Sequence, residues 1–204
     1  MKHKLTLLLG LFFLLSAFKA DKPVITIFMI GDSTMANKSL TGGNPERGWG
    51  QMLPGYLSEE IRVDNHAVNG RSSKSFIDEG RWEKVISQVK KGDYVFIQFG
   101  HNDEKSDPKR YTAPGSTFDE NLKRFVNETR AKGGIPVLFN SIVRRNFGTA
   151  NGNAVAQAIS QDDIQKGVNP DAKREASEQP AVTEGDKLID THGAYLDSPR
   201  NVAK

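Results

Sequence analysis

A chain of 204 residues, 37% hydrophobic and 26% charged, has the size and balance of one globular domain with a substantial core, and no repeat, low-complexity tract or block of like charge points elsewhere. It contains no cysteine, which excludes disulfides, thiolate metal sites, a lipoprotein cysteine and a cysteine nucleophile. The formal charge of +3 sits in the first twenty residues, where Lys2, Lys4 and Lys19 stand without an acid; removing them takes 28 basic residues to 25, level with the 25 acidic ones, so nothing argues for nucleic acid as a partner.

The N-terminus begins with Lys2-His3-Lys4 and runs into the apolar stretch from Leu5 to Phe18. This has the form of a secretory signal and is too short for an ordinary membrane span. Residues 1–20 are therefore expected to be a signal peptide, and 21–204 a single domain, secreted or periplasmic and free of the membrane after cleavage.

The remaining elements alternate. Val24 to Ile30 reads as a buried strand, Ile61 to Val68 as a weaker one, and Tyr94 to Phe99 and Ile135 to Ile142 as two more. Trp49, Met52, Leu53, Tyr56 and Leu57 suggest a helix with Pro54 in its first turn. Trp82, Val85, Ile86 and Val89 recur at helical spacing, with Gly92 placed to close the helix. Phe118, Leu122, Phe125, Val126 and Thr129 form a longer stripe, opened by the capping-box pattern Thr117-x-x-Glu120 and closed by Gly133. A polar, weakly periodic stretch at about 146–186, with one short helix near Ala154 to Ile159, reads as a surface excursion, and Ser198 to Lys204 as the start of another helix. Strands alternating with helices imply an α/β fold with a parallel sheet covered on both faces, whose sites form at the carboxyl ends of the strands.

Three strand ends carry unusual sequence. The first runs into Gly31-Asp32-Ser33-Thr34, where a serine behind a sharply turning glycine can project its hydroxyl; capping of the next helix by Asp32 and Ser33 explains the same residues equally well. The second leads to Asn69-Gly70-Arg71-Ser72-Ser73, where Gly70 can leave its N–H open to a substrate oxygen or simply form a loop. The third ends in Phe99-Gly100-His101-Asn102-Asp103. Asn102 can offer an amide donor to a developing oxyanion, while His101 suits a structural role better than that of a base.

Taken in order, Gly31 to Ala36, Asn69 to Phe76 and Phe99 to Asp103 resemble the SGNH (GDSL-like) hydrolase superfamily, and within it the rhamnogalacturonan acetylesterase group. The resemblance covers about Val24 to Arg145, with an echo at Asp190-Thr191-His192-Gly193. It implies a three-layer α/β/α flavodoxin-like fold. It also implies Ser33 as nucleophile, and an oxyanion hole formed by the Ser33 N–H, the Gly70 N–H and the Asn102 side chain. The implied reaction removes acetyl groups from a plant cell-wall polysaccharide or oligosaccharide through an acetyl-enzyme. An activated serine needs neither a metal nor a cofactor.

The superfamily's base lies in a C-terminal Asp-x-x-His block, and no such spacing occurs after Asn102. The sequence is therefore expected to be incomplete, lacking a last strand and helix as well as that block. The competing expectation is that His192, or less favourably His101, substitutes as base, oriented by Asp190 or Asp103. Two other functions compete with the acetylesterase. One is a lipase or lysophospholipase of the same superfamily, disfavoured by strand-end loops rich in Asn, Arg, Ser and Lys. The other is a non-catalytic glycan-binding protein using Trp49, Trp82 or Tyr111 for stacking, although Trp82 falls on an apolar helix stripe. Phosphate binding at the first strand end is set aside because no extended glycine-rich pattern is present.

Overall fold

The computed structural model describes residues 24–142, 147–148, 187–188 and 192–204. The expected signal peptide, the short helix near Ala154 and nearly all of the 146–186 excursion lie outside the described residues.

Four parallel strands form the central sheet: β1 (Ile25–Gly31), β2 (Ile61–Asn65), β3 (Tyr94–Gln98) and β4 (Ile135–Phe139), in the order β2-β1-β3-β4. Helices α1 (Trp49–Met52), α2 (Ser73–Asp78), α3 (Arg81–Ile86), α4 (Thr117–Ala131) and α5 (Ser198–Val202) accompany it. Two short antiparallel strands, β5 (Phe147–Gly148) and β6 (Lys187–Leu188), pair at the two ends of the excursion.

The alternation of a strand's side chains explains the layers. Phe28 and Ile30 face a core completed by Trp82, Val85, Val95, Ile97, Phe118, Leu122 and Phe125. Ile27 and Met29 face the other way, into a second core with Met35, Ala36 and Ala67, flanked by Trp49, Leu53 and Phe96. A sheet buried on both faces is the three-layer α/β/α arrangement expected for near-continuous apolar strands.

Strand boundaries differ from the sequence expectation mainly at the carboxyl ends, where β2 stops at Asn65 and β4 at Phe139. Beyond those points the chain turns into the loops that build the site. Helix α3 stops at Ile86, although Val89 is still buried. The Asp93 carboxylate accepts the Lys90 N–H at 2.9 Å and the Thr26 N–H at 3.0 Å, drawing the chain into the next strand. Pro54 falls in a 3₁₀ turn, Leu53–Tyr56, that extends α1.

The capping box is formed at Ser72 and not at Thr117. Ser72 accepts from the Ser75 N–H and donates its own N–H to Ser75 Oγ, opening α2. Helix α4 begins after Ser116 with no side-chain cap; Thr117 Oγ1 instead accepts from the Ala113 N–H and Asp119 from the Gly115 N–H, bending the preceding turn.

Trp82 is the largest fully buried side chain. Its ring lies edge-on to Phe125 at 4.9 Å and its indole N–H donates to Glu128 at 2.6 Å. Trp82→Ala is expected to cost about 3–5 kcal/mol in a denaturant melt. A loss below about 1 kcal/mol would mean that α3 does not hold this core together.

Candidate active site

Strand β1 lies between β2 and β3, so the chain leaves β1 in one direction across the sheet and later returns to its other side. The crevice outside the carboxyl ends at such a reversal is where ligands bind in open α/β sheets. The three sequence blocks converge there.

Gly31 closes β1 beside Gln98 of β3. A Cβ on Gly31 would stand 2.7 Å from the Gln98 carbonyl oxygen, so its need is close strand approach, not the sharp turn expected of it. Asp32 then organises the next turn. Its Oδ1 accepts from the Thr34 N–H and hydroxyl, both at 2.9 Å, and its carbonyl oxygen accepts from the N–H groups of Met35 and Ala36. Ser33 sits inside this turn, 7% exposed, and its hydroxyl takes part in no hydrogen bond among the described residues.

The Gly70 turn is tied to β1 by the Val68 N–H, which donates to the Gly31 carbonyl at 3.0 Å. Gly70 has φ +74°, a conformation glycine adopts without strain. Asn102, buried at the end of β3, donates one amide hydrogen to the Arg71 carbonyl at 3.1 Å, which leaves its second amide hydrogen uncommitted. Neither the Ser33 nor the Gly70 N–H donates to an acceptor among the described residues. The segments bearing Ser33, Gly70 and Asn102 are thus tied to one another at the carboxyl end of the sheet, with the Ser33 N–H, the Gly70 N–H and one Asn102 amide hydrogen making no hydrogen bond among the described residues.

Asp103 binds the blocks together. Its carboxylate accepts from the Ser73 N–H, the Ser73 hydroxyl, the Thr112 hydroxyl and the Gly100 N–H at 2.5–3.1 Å. Burial nevertheless pushes its pKa up to about 7, outweighing those donors. Burial acts on Asp32 in the same sense, but His101 and the two Thr34 donors together hold that carboxyl below its ordinary range.

The two candidate substitute bases have other engagements. His101 Nδ1 lies 3.7 Å from Asp32 Oδ2, so its carboxylate neighbour is Asp32 and not Asp103. His192 is buried, with Nδ1 2.9 Å from Glu104 and Nε2 3.0 Å from the Ile142 carbonyl, and its ring meets His101 edge-on at 4.4 Å. Its orienting carboxylate is thus Glu104; Asp190 lies outside the described residues.

The aromatic candidates separate clearly. Trp82 is core, and Trp49 is half-buried against Phe139 with its indole N–H donating to Gln98 at 2.7 Å. Tyr111 remains exposed. Sequence reasoning did not single out Gln98, whose Oε1 also accepts from the Thr34 hydroxyl at 3.1 Å and whose amide donates to Asn140. A polar residue in a run of apolar strand positions was the available signal.

The chain is similar to several known proteins. The chain is 42% identical over 126 residues to rhamnogalacturonan acetylesterase RhgT of Bacillus subtilis, covering 62% of this chain and 53% of that protein. It is 38% identical over 122 residues to "probable rhamnogalacturonan acetylesterase YesY" of the same organism, covering 59% and 55%. A rhamnogalacturonan acetylesterase of Emericella nidulans is 41% identical over 105 residues, covering 50% of this chain and 39% of that one. The chain thus spans about half the length, or less, of these curated relatives. The crystal structure of the YxiM protein of Bacillus subtilis superposes with a TM-score of 0.55 at 26% identity, over 89% of this chain and 49% of that one. The model of the GDSL-like lipase/acylhydrolase family matches residues 29–204, and the chain belongs to that family.

Proposed function

We propose that the protein is a carboxylic ester hydrolase that removes acetyl groups from a rhamnogalacturonan-type polysaccharide, with Ser33 as nucleophile. The observation that carries this reading is the tying together of the Ser33, Gly70 and Asn102 segments at the carboxyl end of the sheet, on a chain 38–42% identical over 122–126 residues to known and probable rhamnogalacturonan acetylesterases.

Ser33 Oγ attacks the acetyl carbonyl while its proton passes to a base. The carbonyl oxygen gathers negative charge and meets the N–H groups of Ser33 and Gly70 and the second Asn102 amide hydrogen, donors fixed before the reaction begins. Collapse breaks the bond to the sugar oxygen, which takes the proton from the base and departs as a hydroxyl, leaving acetyl on Ser33; water then attacks that ester, releasing acetate and restoring the Ser33 hydroxyl. We assign the base to neither His101 nor His192, since the one faces Asp32 and the other is held by Glu104 and Ile142. The resemblance places that role in an Asp-x-x-His block, which the 204 residues do not carry.

The test is acetate release from acetylated rhamnogalacturonan, set against hydrolysis of long-acyl esters. Preference for the acetyl substrate supports the reading; preference for long acyl chains would transfer it to the lipases of the family. Asn102→Ala is expected to lower kcat by about 10²–10³-fold through loss of one oxyanion donor. An unchanged kcat in that variant would remove Asn102 from the machinery.

A further inference from the structure

A lysine buried beside the crevice has no part in the chemistry just described. The Lys38 side chain is 3% exposed, a rare condition for an ammonium group. Its Nζ lies 2.7 Å from Glu46 and donates to Asn69 Oδ1 at 2.9 Å. Its backbone is held as firmly. The Lys38 N–H donates to Gln51 Oε1 at 2.9 Å, and Gln51 donates back to the Lys38 carbonyl at 3.1 Å. Asn65 fixes the preceding residues by donating to the Met35 carbonyl and to Asn37 Oδ1.

Asn69 is gripped a second time. Arg71 Nη1 donates to the Asn69 carbonyl oxygen at 3.1 Å, while Glu79 holds the same guanidinium through Nε at 3.1 Å. That carbonyl belongs to the same peptide unit as the Gly70 N–H. In a planar trans peptide the C=O and N–H point in opposite directions, so fixing one fixes the other. The constraint matters because glycine tolerates both signs of φ, and its preceding peptide can flip where a residue with a Cβ would resist. A flipped unit would present a carbonyl oxygen where an N–H is required.

We propose that Lys38 and Arg71 are positioning residues that clamp Asn69 from its side chain and its carbonyl, locking the Asn69–Gly70 peptide with the Gly70 N–H directed into the Ser33 crevice. The inference rests on the esterase reading for the use of that N–H, but the orientation itself is a property of the folded chain. Lys38 touches no substrate; it acts through Asn69.

The experiment compares the wild-type chain with Lys38→Met, and with Lys38→Met combined with Glu46→Gln, which removes the facing charge as well. The first readout is the Gly70 amide cross-peak in an ¹H–¹⁵N spectrum, with folding checked by circular dichroism. Release of the clamp is expected to broaden, double or strongly shift that cross-peak. A single, sharp, unshifted Gly70 peak in a folded variant overturns the proposal. The second readout is turnover of an acetyl ester. The expected loss is about 10- to 100-fold in kcat with KM nearly unchanged, somewhat less than removal of a donor outright. A raised KM at constant kcat would mean that Lys38 serves substrate binding, and would overturn the proposal.

Asn69→Leu supplies an internal control. If Lys38 works through Asn69, the double variant loses no more than the worse single one; fully additive losses count against the clamp. Should the wild type show no Ser33-dependent acetate release, the esterase reading gains nothing from turnover, and the Gly70 cross-peak still decides whether the clamp exists.

Discussion

With its base in place, Ser33→Ala is expected to lower acetate release by about six orders of magnitude, the effect of removing a serine nucleophile that works as a unit with that base. The protein should remain folded, and the reason is local. The Ser33 hydroxyl makes no hydrogen bond among the described residues, so its loss strands no partner. The turn around it is built by Asp32 with Thr34, Met35 and Ala36, none of which uses that oxygen. Melting should therefore shift by no more than about 0.5 kcal/mol in stability. Backbone donors survive the substitution, so a residual rate above the uncatalysed one is expected from the oxyanion hole alone. Acetate release, measured beside a thermal melt, checks both halves. Activity retained at more than about one part in a hundred would dismiss Ser33 as nucleophile.

A large effect on stability is expected at Asp103. Its carboxylate satisfies the N–H groups of Ser73 and Gly100 and the hydroxyls of Ser73 and Thr112, all from three separate chain segments. Asp103→Ala leaves these buried donors without an acceptor, at about 1–3 kcal/mol each for those that water cannot reach. A loss of at least about 3 kcal/mol is expected. The pH dependence has a definite sign. Burial raises the folded pKa to about 7, above the ordinary 3.8. Between those values the unfolded chain has released the proton and the native one retains it, so the Asp103 contribution to stability is complete below about pH 4 and declines as pH rises to 7. Asp32 runs the other way: its folded pKa is depressed, so its contribution is present above 3.8 and lost as pH falls through the folded value. Denaturant melts of wild type and Asp103→Asn from pH 4 to 8 isolate the first effect. The wild type should lose stability relative to the variant up to pH 7, and a constant difference would contradict the raised pKa.

The layers were legible because the apolar strands and the α4 stripe carry their burial in local pattern. Phe118, Leu122 and Phe125 can satisfy helical spacing only with one face in a core, and they do. The meeting of the three polar blocks was legible for another reason, since short polar blocks directly after apolar runs have little to do in a sheet except line its end. What remained hidden depends on distant partners. Nothing near Lys38 announces that its ammonium will meet Glu46 and Asn69. Thr117-x-x-Glu120 has the letters of a capping box, but Thr117 is already within the helix, and the box at Ser72 lay inside a segment that also reads as a site loop. Trp49 looks available for stacking until Gln98, far along the chain, takes its indole N–H.

The segment from His192 to Val202 rests on the loop that follows Asn102. His192 meets Glu104, and the Tyr195 hydroxyl donates to the carbonyls of Asp103 and Thr112 while its ring packs on Phe118. These hydrogen bonds join positions more than eighty residues apart in sequence. During synthesis the sheet strands leave the ribosome long before that brace exists, and domains consolidate from the N-terminal side as the chain emerges. The nascent protein therefore holds an assembled sheet while the loop bearing Asn102 is still unbraced. The Asn102 loop gains its brace only when the His192–Val202 segment docks.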